Sequence, residues 1–221
     1  MKERYFSPES LERKTLEMCR KLDEQRQKHP IPFVPHRSAL LVLDMQAYFL
    51  DAASHAYVPS AEAIVPGIQQ LIQAYAARRR PVIFTQHLNT AQDASLMATW
   101  WRDTLTAEHP LSAIIPDLDV SVGGVIRKSQ YDAFHRTDLE DVLHREAVTQ
   151  VVVCGVMTHL CCETTARSAF VRGFAVFFPV DGTATYTEDF HLASLINLSH
   201  GFATPVLVQD ILAAIRGDDA P

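Results

Sequence analysis

An α/β fold, a three-layer α/β/α sandwich around a mostly parallel six-stranded sheet, is what this sequence predicts. Three observations predict it. Six short apolar, β-rich runs recur along the chain, helical segments lie between them, and the runs are largely unalternated, as strands covered on both faces should be.

The runs are ALLVLD (39–44), PVIFTQ (81–86), GVIRKS (124–129), TQVVVCG (149–155), AVFFPVD (175–181) and PVLVQ (205–209). Helices are predicted over 61–79, 137–147, 162–173 and 187–201. Repeated strand–helix–strand units make the sheet Rossmann-like, with ligands expected beyond the carboxyl ends of its strands. The stretch 88–122 lacks this rhythm and holds both tryptophans, which suits a helical insertion roofing a pocket.

Ahead of the first run, residues 1–37 read as a separate arm. Ser7-Pro8 suits a helix start, and Leu11, Thr15, Met18 and Leu22 then form a narrow apolar stripe amid dense charge, with Cys19 on the same helix. The arm packs either on its own domain or on another subunit. HPIPFVPH (29–36) is an extended linker, since its prolines forbid helix. Residues 38–221 form the main domain.

With 221 residues and 48% apolar content the chain closes one sizeable core. Lys and Arg number 20 against 26 Asp and Glu, for a net charge of −6, which argues against nucleic-acid and anionic-membrane partners and for a small molecule. No apolar run approaches the roughly 18 to 20 residues of a membrane span, and MKERYFSPESLERK has no apolar leader core, so a cytoplasmic protein is expected. Four cysteines without CxxC or paired Cys/His spacing suggest free thiols.

Two of these cysteines adjoin in GVMTHLCCETTARSAF. On a helix starting near 161, Cys162 shares a small apolar face with Ala166, Ala169, Phe170 and Gly173, so it reads as core. Cys161 lies one step round, in the first turn, where unpaired N–H groups and Lys128 would favour a thiolate. Cys154 reads as packing. Asp44 ends the first run and Lys128 the third, so parallel strands would bring both to the edge where Cys161 stands. Asp44 can serve as a base and Lys128 can hold charge in place, although either residue type also commonly serves structure at a strand end.

LLVLDMQAYF, VIRKSQYDAF and VVVCGVMTHLCCETTARSAFVRGF resemble the three signature blocks of the isochorismatase-like cysteine hydrolases, the superfamily of isochorismatases, nicotinamidases and N-carbamoylsarcosine amidases. The resemblance implies an Asp44–Lys128–Cys161 triad, with Gly155, Thr158 and Cys161 matching a G-x-x-T-x-x-C pattern. It also implies a cis peptide at Val156–Met157, which aims the Met157 N–H with that of Cys161 at an oxyanion. Attack by Cys161 on a small carboxamide, carbamoyl or ureido group would give a thioester that water releases. Nicotinamidases of the family bind metal through Asp-x-His after the second strand. Here His87 and Asn89 stand there without the Asp, so neither metal nor other cofactor is expected. Isochorismatase-type vinyl ether cleavage and a noncatalytic binding protein on the same fold are the other readings. Substrate contacts are expected from Gln46, Phe49, His87, Trp100, Tyr131, Phe134 and His159, with Trp101 beside them and core or interface packing the other role for each tryptophan. Family likeness and the arm imply a homodimer or homotetramer.

Overall fold

Ser38–Leu43 (β1) is buried at every residue and lies in the middle of a parallel sheet. The structure is a computed structural model that describes residues 2–26, 31–101 and 103–217. In chain order the elements are Leu11–Arg26 (α1), β1, Ala47–Leu50 (α2), Ala61–Ala77 (α3), Val82–His87 (β2), Met97–Trp100 (α4), Gly124–Lys128 (β3) and Leu139–Arg145 (α5). Gln150–Val156 (β4), Glu163–Val171 (α6), Ala175–Pro179 (β5), Thr183–Ala184 (β6), Glu188–Gly201 (α7), Thr204–Val206 (β7) and Val208–Gly217 (α8) follow. The strands run in the order β3-β2-β1-β4-β5-β7, and β6 pairs with β4. Every pairing between these strands is parallel.

The described residues thus form a seven-stranded sheet, one strand more than the sequence suggests. The extra strand, β6, has two residues, too few to show a period. β3 also departs from expectation: Gly124, Val125 and Arg127 are exposed, because this strand forms the sheet edge beside β2 alone. Helices flank the sheet, with α3 and α8 packed together and α6 packed on β5 and α7.

Register sets the site. Leu43 pairs with Gly155 and His87 pairs with Lys128, so the carboxyl ends of β1, β2, β3 and β4 lie level. The approach of β1 to β4 requires Gly155: its φ is +111°, and a Cβ there would lie 2.1 Å from the Leu43 carbonyl oxygen. Gly155→Ala is therefore expected to cost about 3 kcal/mol through backbone strain and overpacking, read as a lower midpoint in urea unfolding.

Three further expectations change. Ser7-Pro8 does not open α1: the Ser10 and Leu11 N–H groups donate to the Ser7 carbonyl in a turn that leads into Leu11. Thr15, Met18 and Leu22 are buried as the stripe requires, and Cys19 with them. Tyr5, Phe6, Met18 and Leu22 join the same apolar cluster as β1 and β4, so the arm lies on its own chain. Residues 29 and 30 of the linker lie outside the described residues.

The stretch 88–122 is mostly loop. α4 is one turn of helix, and short side-chain turns, Asp93 accepting from the Thr90 N–H and Asp119 from the Ser121 N–H, compete with longer helix. Along the predicted face, Cys162 just before α6 and Ala166 and Ala169 on it are fully buried, but Phe170 is half exposed and meets Phe202 edge-on, and Gly173 beyond the helix is exposed. The predicted apolar face drifts out of the core by its third turn because α6 ends at Val171.

Candidate active site

Asp44 follows β1 with φ of +51°, a left-handed conformation that bends the chain off the sheet and that Asp tolerates better than most residues. Its carboxylate is wholly buried. Thr85 of β2 donates its hydroxyl to Asp44 Oδ1 at 2.6 Å and accepts from the Asp44 N–H at 3.1 Å. Lys128, the last residue of β3, brings its Nζ to 2.7 Å from Asp44 Oδ2, and this ion pair is fully buried. The same ammonium donates to the Gln130 carbonyl at 2.9 Å and to Cys161 Sγ at 3.3 Å.

Cys161 lies in a π-helical turn, Thr158–Cys162, between β4 and α6 rather than in the first turn of a regular helix. The Val156–Met157 peptide that enters this turn is cis. Met157 and Cys161 both face the pocket described below. Cys162 is fully buried beneath them.

Electrostatics correct one expectation. The helix terminus and Lys128 were expected to favour a thiolate, but burial pushes the Cys161 thiol up to about 12 and the Asp44 charge adds to this, while Lys128 opposes both. The resting thiol is protonated at neutral pH. Burial also works against the Lys128 ammonium, yet Asp44 and Cys161 together outweigh it and hold its pKa above the ordinary lysine value. Burial raises the Cys154 and Cys162 thiols as well.

Cys161 lines a pocket whose cavity volume is about 60 Å³, well below the usual range of small-molecule sites. Its walls are mainly aromatic and aliphatic: Tyr48 and Phe49 from α2, Trp101 and Leu105 from the loop after α4, Tyr131 after β3 and Tyr186 before α7. The Trp101 indole N–H donates to the Tyr131 hydroxyl at 2.7 Å, which joins two of these walls. At one side Tyr48 hydroxyl lies 2.6 Å from His55 Nε2, which is 3.2 Å from Asp103 Oδ2. Among the described residues no Lys or Arg lines the pocket, and Asp103 is its one carboxylate.

Of the residues expected at the substrate, the pocket gathers Phe49, His87 and Tyr131. Burial, and then the charge of Lys128, lower the His87 pKa to about 4, so its imidazole is neutral. Gln46 is fully buried and spent on structure: its amide N–H groups donate to the His87 and Ser112 carbonyls, and its oxygen accepts from the His87 N–H. Trp100 is 79% exposed, and Trp101 takes the wall position because a single turn of helix points successive side chains apart. Phe134 is buried elsewhere, stacked on Phe174 beneath Arg172. His159 turns from the pocket, bonded to Thr185 Oγ1 and stacked on Phe190.

Where the resemblance implies a metal, His87 Nε2 and Asn89 Oδ1 lie 3.0 Å apart and bond each other. Among the described residues no group of three or more His, Cys, Asp or Glu side chains is arranged to hold a metal ion. This donor set does not fit a bound metal ion. Among the described residues no helix is long and apolar enough to cross a membrane.

Comparison with known proteins agrees with the architecture. Residues 38–210 match the family described as "Isochorismatase domain". Nicotinamidase 3 of Arabidopsis thaliana is 39% identical over 82% of this chain and 90% of its own. Enterobactin synthase component B of Escherichia coli K12 is 30% identical over 85% of this chain and 69% of its own. A solved cysteine hydrolase from Pseudomonas syringae pv. phaseolicola 1448A, 28% identical, superposes with a TM-score of 0.79 over 86% of this chain and 99% of that one. With the sheet, the buried Asp44–Lys128 pair and Cys161 beside it, these matches place the chain in the isochorismatase family of hydrolases.

Proposed function

We propose that this protein is a cysteine amidohydrolase that cleaves a C–N bond of a small carboxamide, carbamoyl or ureido compound through a thioester on Cys161. The observation that carries this reading is Cys161 Sγ at 3.3 Å from Lys128 Nζ, itself 2.7 Å from the Asp44 carboxylate, with Cys161 lining a pocket.

The resting thiol needs a base at the moment of attack, and the buried Asp44 carboxylate takes its proton. Sγ then bonds to the substrate carbonyl carbon, and the oxyanion accepts from the Met157 and Cys161 N–H groups. As the C–N bond breaks, Asp44 returns the proton to the departing nitrogen. Water, deprotonated by Asp44, attacks the thioester carbonyl, the acid leaves and the thiol is restored.

Cys161 beside the buried Asp44–Lys128 pair favours acyl chemistry on an amide over vinyl ether cleavage, which needs no sulfur nucleophile. The name of the 39% identical relative, a nicotinamidase, supports a carboxamide substrate. The test is ammonia release from a panel of primary amides and ureido compounds, followed by acid quench and intact mass. A turned-over amide is expected to leave its acyl group on the peptide bearing Cys161, with no adduct and no ammonia in Cys161→Ala. Full turnover by Cys161→Ala would overturn the reading.

A further inference from the structure

The segment at residues 2–6 precedes the family match, which begins at residue 38, yet it reaches the elements that carry the site. The Glu3 N–H donates to the Tyr186 carbonyl at 2.8 Å, and Phe6 is fully buried, its N–H donating to Ser60 Oγ. Between them Tyr5 buries its hydroxyl and uses it twice. It accepts from the Thr185 N–H at 2.9 Å and lies 2.9 Å from His191 Nδ1.

The state of His191 follows from its partners. Nε2 lies 3.1 Å from the Val180 carbonyl, which only accepts, so Nε2 carries the hydrogen and Nδ1 is an acceptor. Burial lowers the pKa of this imidazole to about 3, so the ring stays neutral. The Tyr5 hydroxyl and the Thr158 hydroxyl, 3.1 Å away, therefore share the single lone pair of Nδ1 in a three-centre hydrogen bond, the Tyr5 contact being the shorter. Thr158 is the first residue of the turn that holds Cys161, and Thr185 adjoins Tyr186 of the pocket wall. A buried polar unit of Tyr5, Thr185, His191 and Thr158, joined through one shared acceptor, links that turn to the arm.

We infer that the N-terminal segment is a strap that completes the active site in cis, with Tyr5 as a positioning residue that fixes the Cys161 turn through His191 and Thr158. The inference rests on the reading of Cys161 as nucleophile. Its test, however, reads the thiol directly and needs no substrate.

Cys161 is faced by Asp44 from the end of β1, by Lys128 from the end of β3, by Tyr131 from the loop after it, and by Cys162 in its own turn. Burial is the largest influence on its thiol. A turn released from Tyr5 lets water in, so the thiol falls toward its ordinary value and reacts faster at a fixed pH.

The experiment follows iodoacetamide alkylation of Cys161 by peptide mass spectrometry across pH in the full chain, for wild type, Tyr5→Phe, Thr158→Val and Lys14→Ala, with thermal melts alongside. Tyr5→Phe keeps the ring contacts with Phe6 and His191 and removes only the hydroxyl. It is expected to speed alkylation near neutral pH by at least about threefold, half a unit in the thiol pKa. Thr158→Val, which cuts the same chain nearer to Cys161, is expected to do likewise, and it carries the test should Tyr5→Phe fail to fold. Lys14→Ala removes the Lys14–Glu188 ion pair between α1 and α7 and serves as the control for loosening alone. It is expected to lower the melting temperature without moving the profile. Superposition of the Tyr5→Phe or Thr158→Val profile on wild type would overturn the strap, and so would an equal shift in Lys14→Ala. Retained turnover by Cys161→Ala would sink the thioester reading while leaving this alkylation result intact.

Discussion

Lys128→Met should lose both fold stability and activity, and the stability loss is the more informative. The wild-type ammonium lies 2.7 Å from a carboxylate with no exposed surface. Its removal leaves Asp44 buried with only the neutral Thr85 hydroxyl and Cys161 thiol beside its charge. Breaking a buried pair from one side typically costs about 3 to 5 kcal/mol, because the orphaned charge keeps its desolvation penalty. The Lys128 pKa is raised, so its share of stability is fully present below the ordinary lysine value of 10.5 and is lost only as pH rises through the higher folded value. Urea unfolding at pH 7 therefore reads the whole effect. Turnover should fall by about a hundredfold or more as the thiol loses the charge that opposes its burial. The double variant Asp44→Asn with Lys128→Met separates the two losses. With both charges gone it should recover part of the stability and none of the activity, whereas simple additivity of the two single variants would contradict the pairing.

That pair was legible in the sequence for a topological reason. Asp44, Lys128 and the Cys161 turn each follow an apolar run, and parallel strands with level ends bring such residues together whatever their separation along the chain. The pocket wall was less legible because it comes from loops without a period. His55 and Asp103 lie 3.2 Å apart, yet nothing in their local sequences links them. Trp101 rather than Trp100 faces the site, a choice made by one residue of phase in a single helical turn. Gln46 and His159 carry polar groups suited to a substrate, but protein partners have taken them up. The ionisation of Cys161 is not legible in the sequence, which shows which charges lie near and not how deeply the sulfur is buried. Tyr5 and His191 gave no signal, being 186 positions apart and joined only by folding.

Asp44→Asn should move two observables of Cys161 in opposite directions. Burial raises the Cys161 thiol first, Asp44 raises it further, and Lys128 alone pulls it down. With the carboxylate gone, Lys128 still lies 3.3 Å from the sulfur and has lost its counter-ion, so the thiolate becomes its natural partner. The thiol pKa should then fall from about 12, with burial still holding it up, and iodoacetamide should label Cys161 faster than in wild type at the same pH. Amide turnover should nevertheless drop by about a hundredfold to ten-thousandfold, because an asparagine can neither take the thiol proton nor return it to the leaving nitrogen. A residue that only held structure would slow turnover without sharpening the nucleophile. Slower labelling together with slower turnover would mean that Asp44 acts by holding Lys128 and Cys161 in place. Faster labelling with slower turnover assigns it the proton, since the barrier then lies in the leaving group and not in the formation of the thiolate.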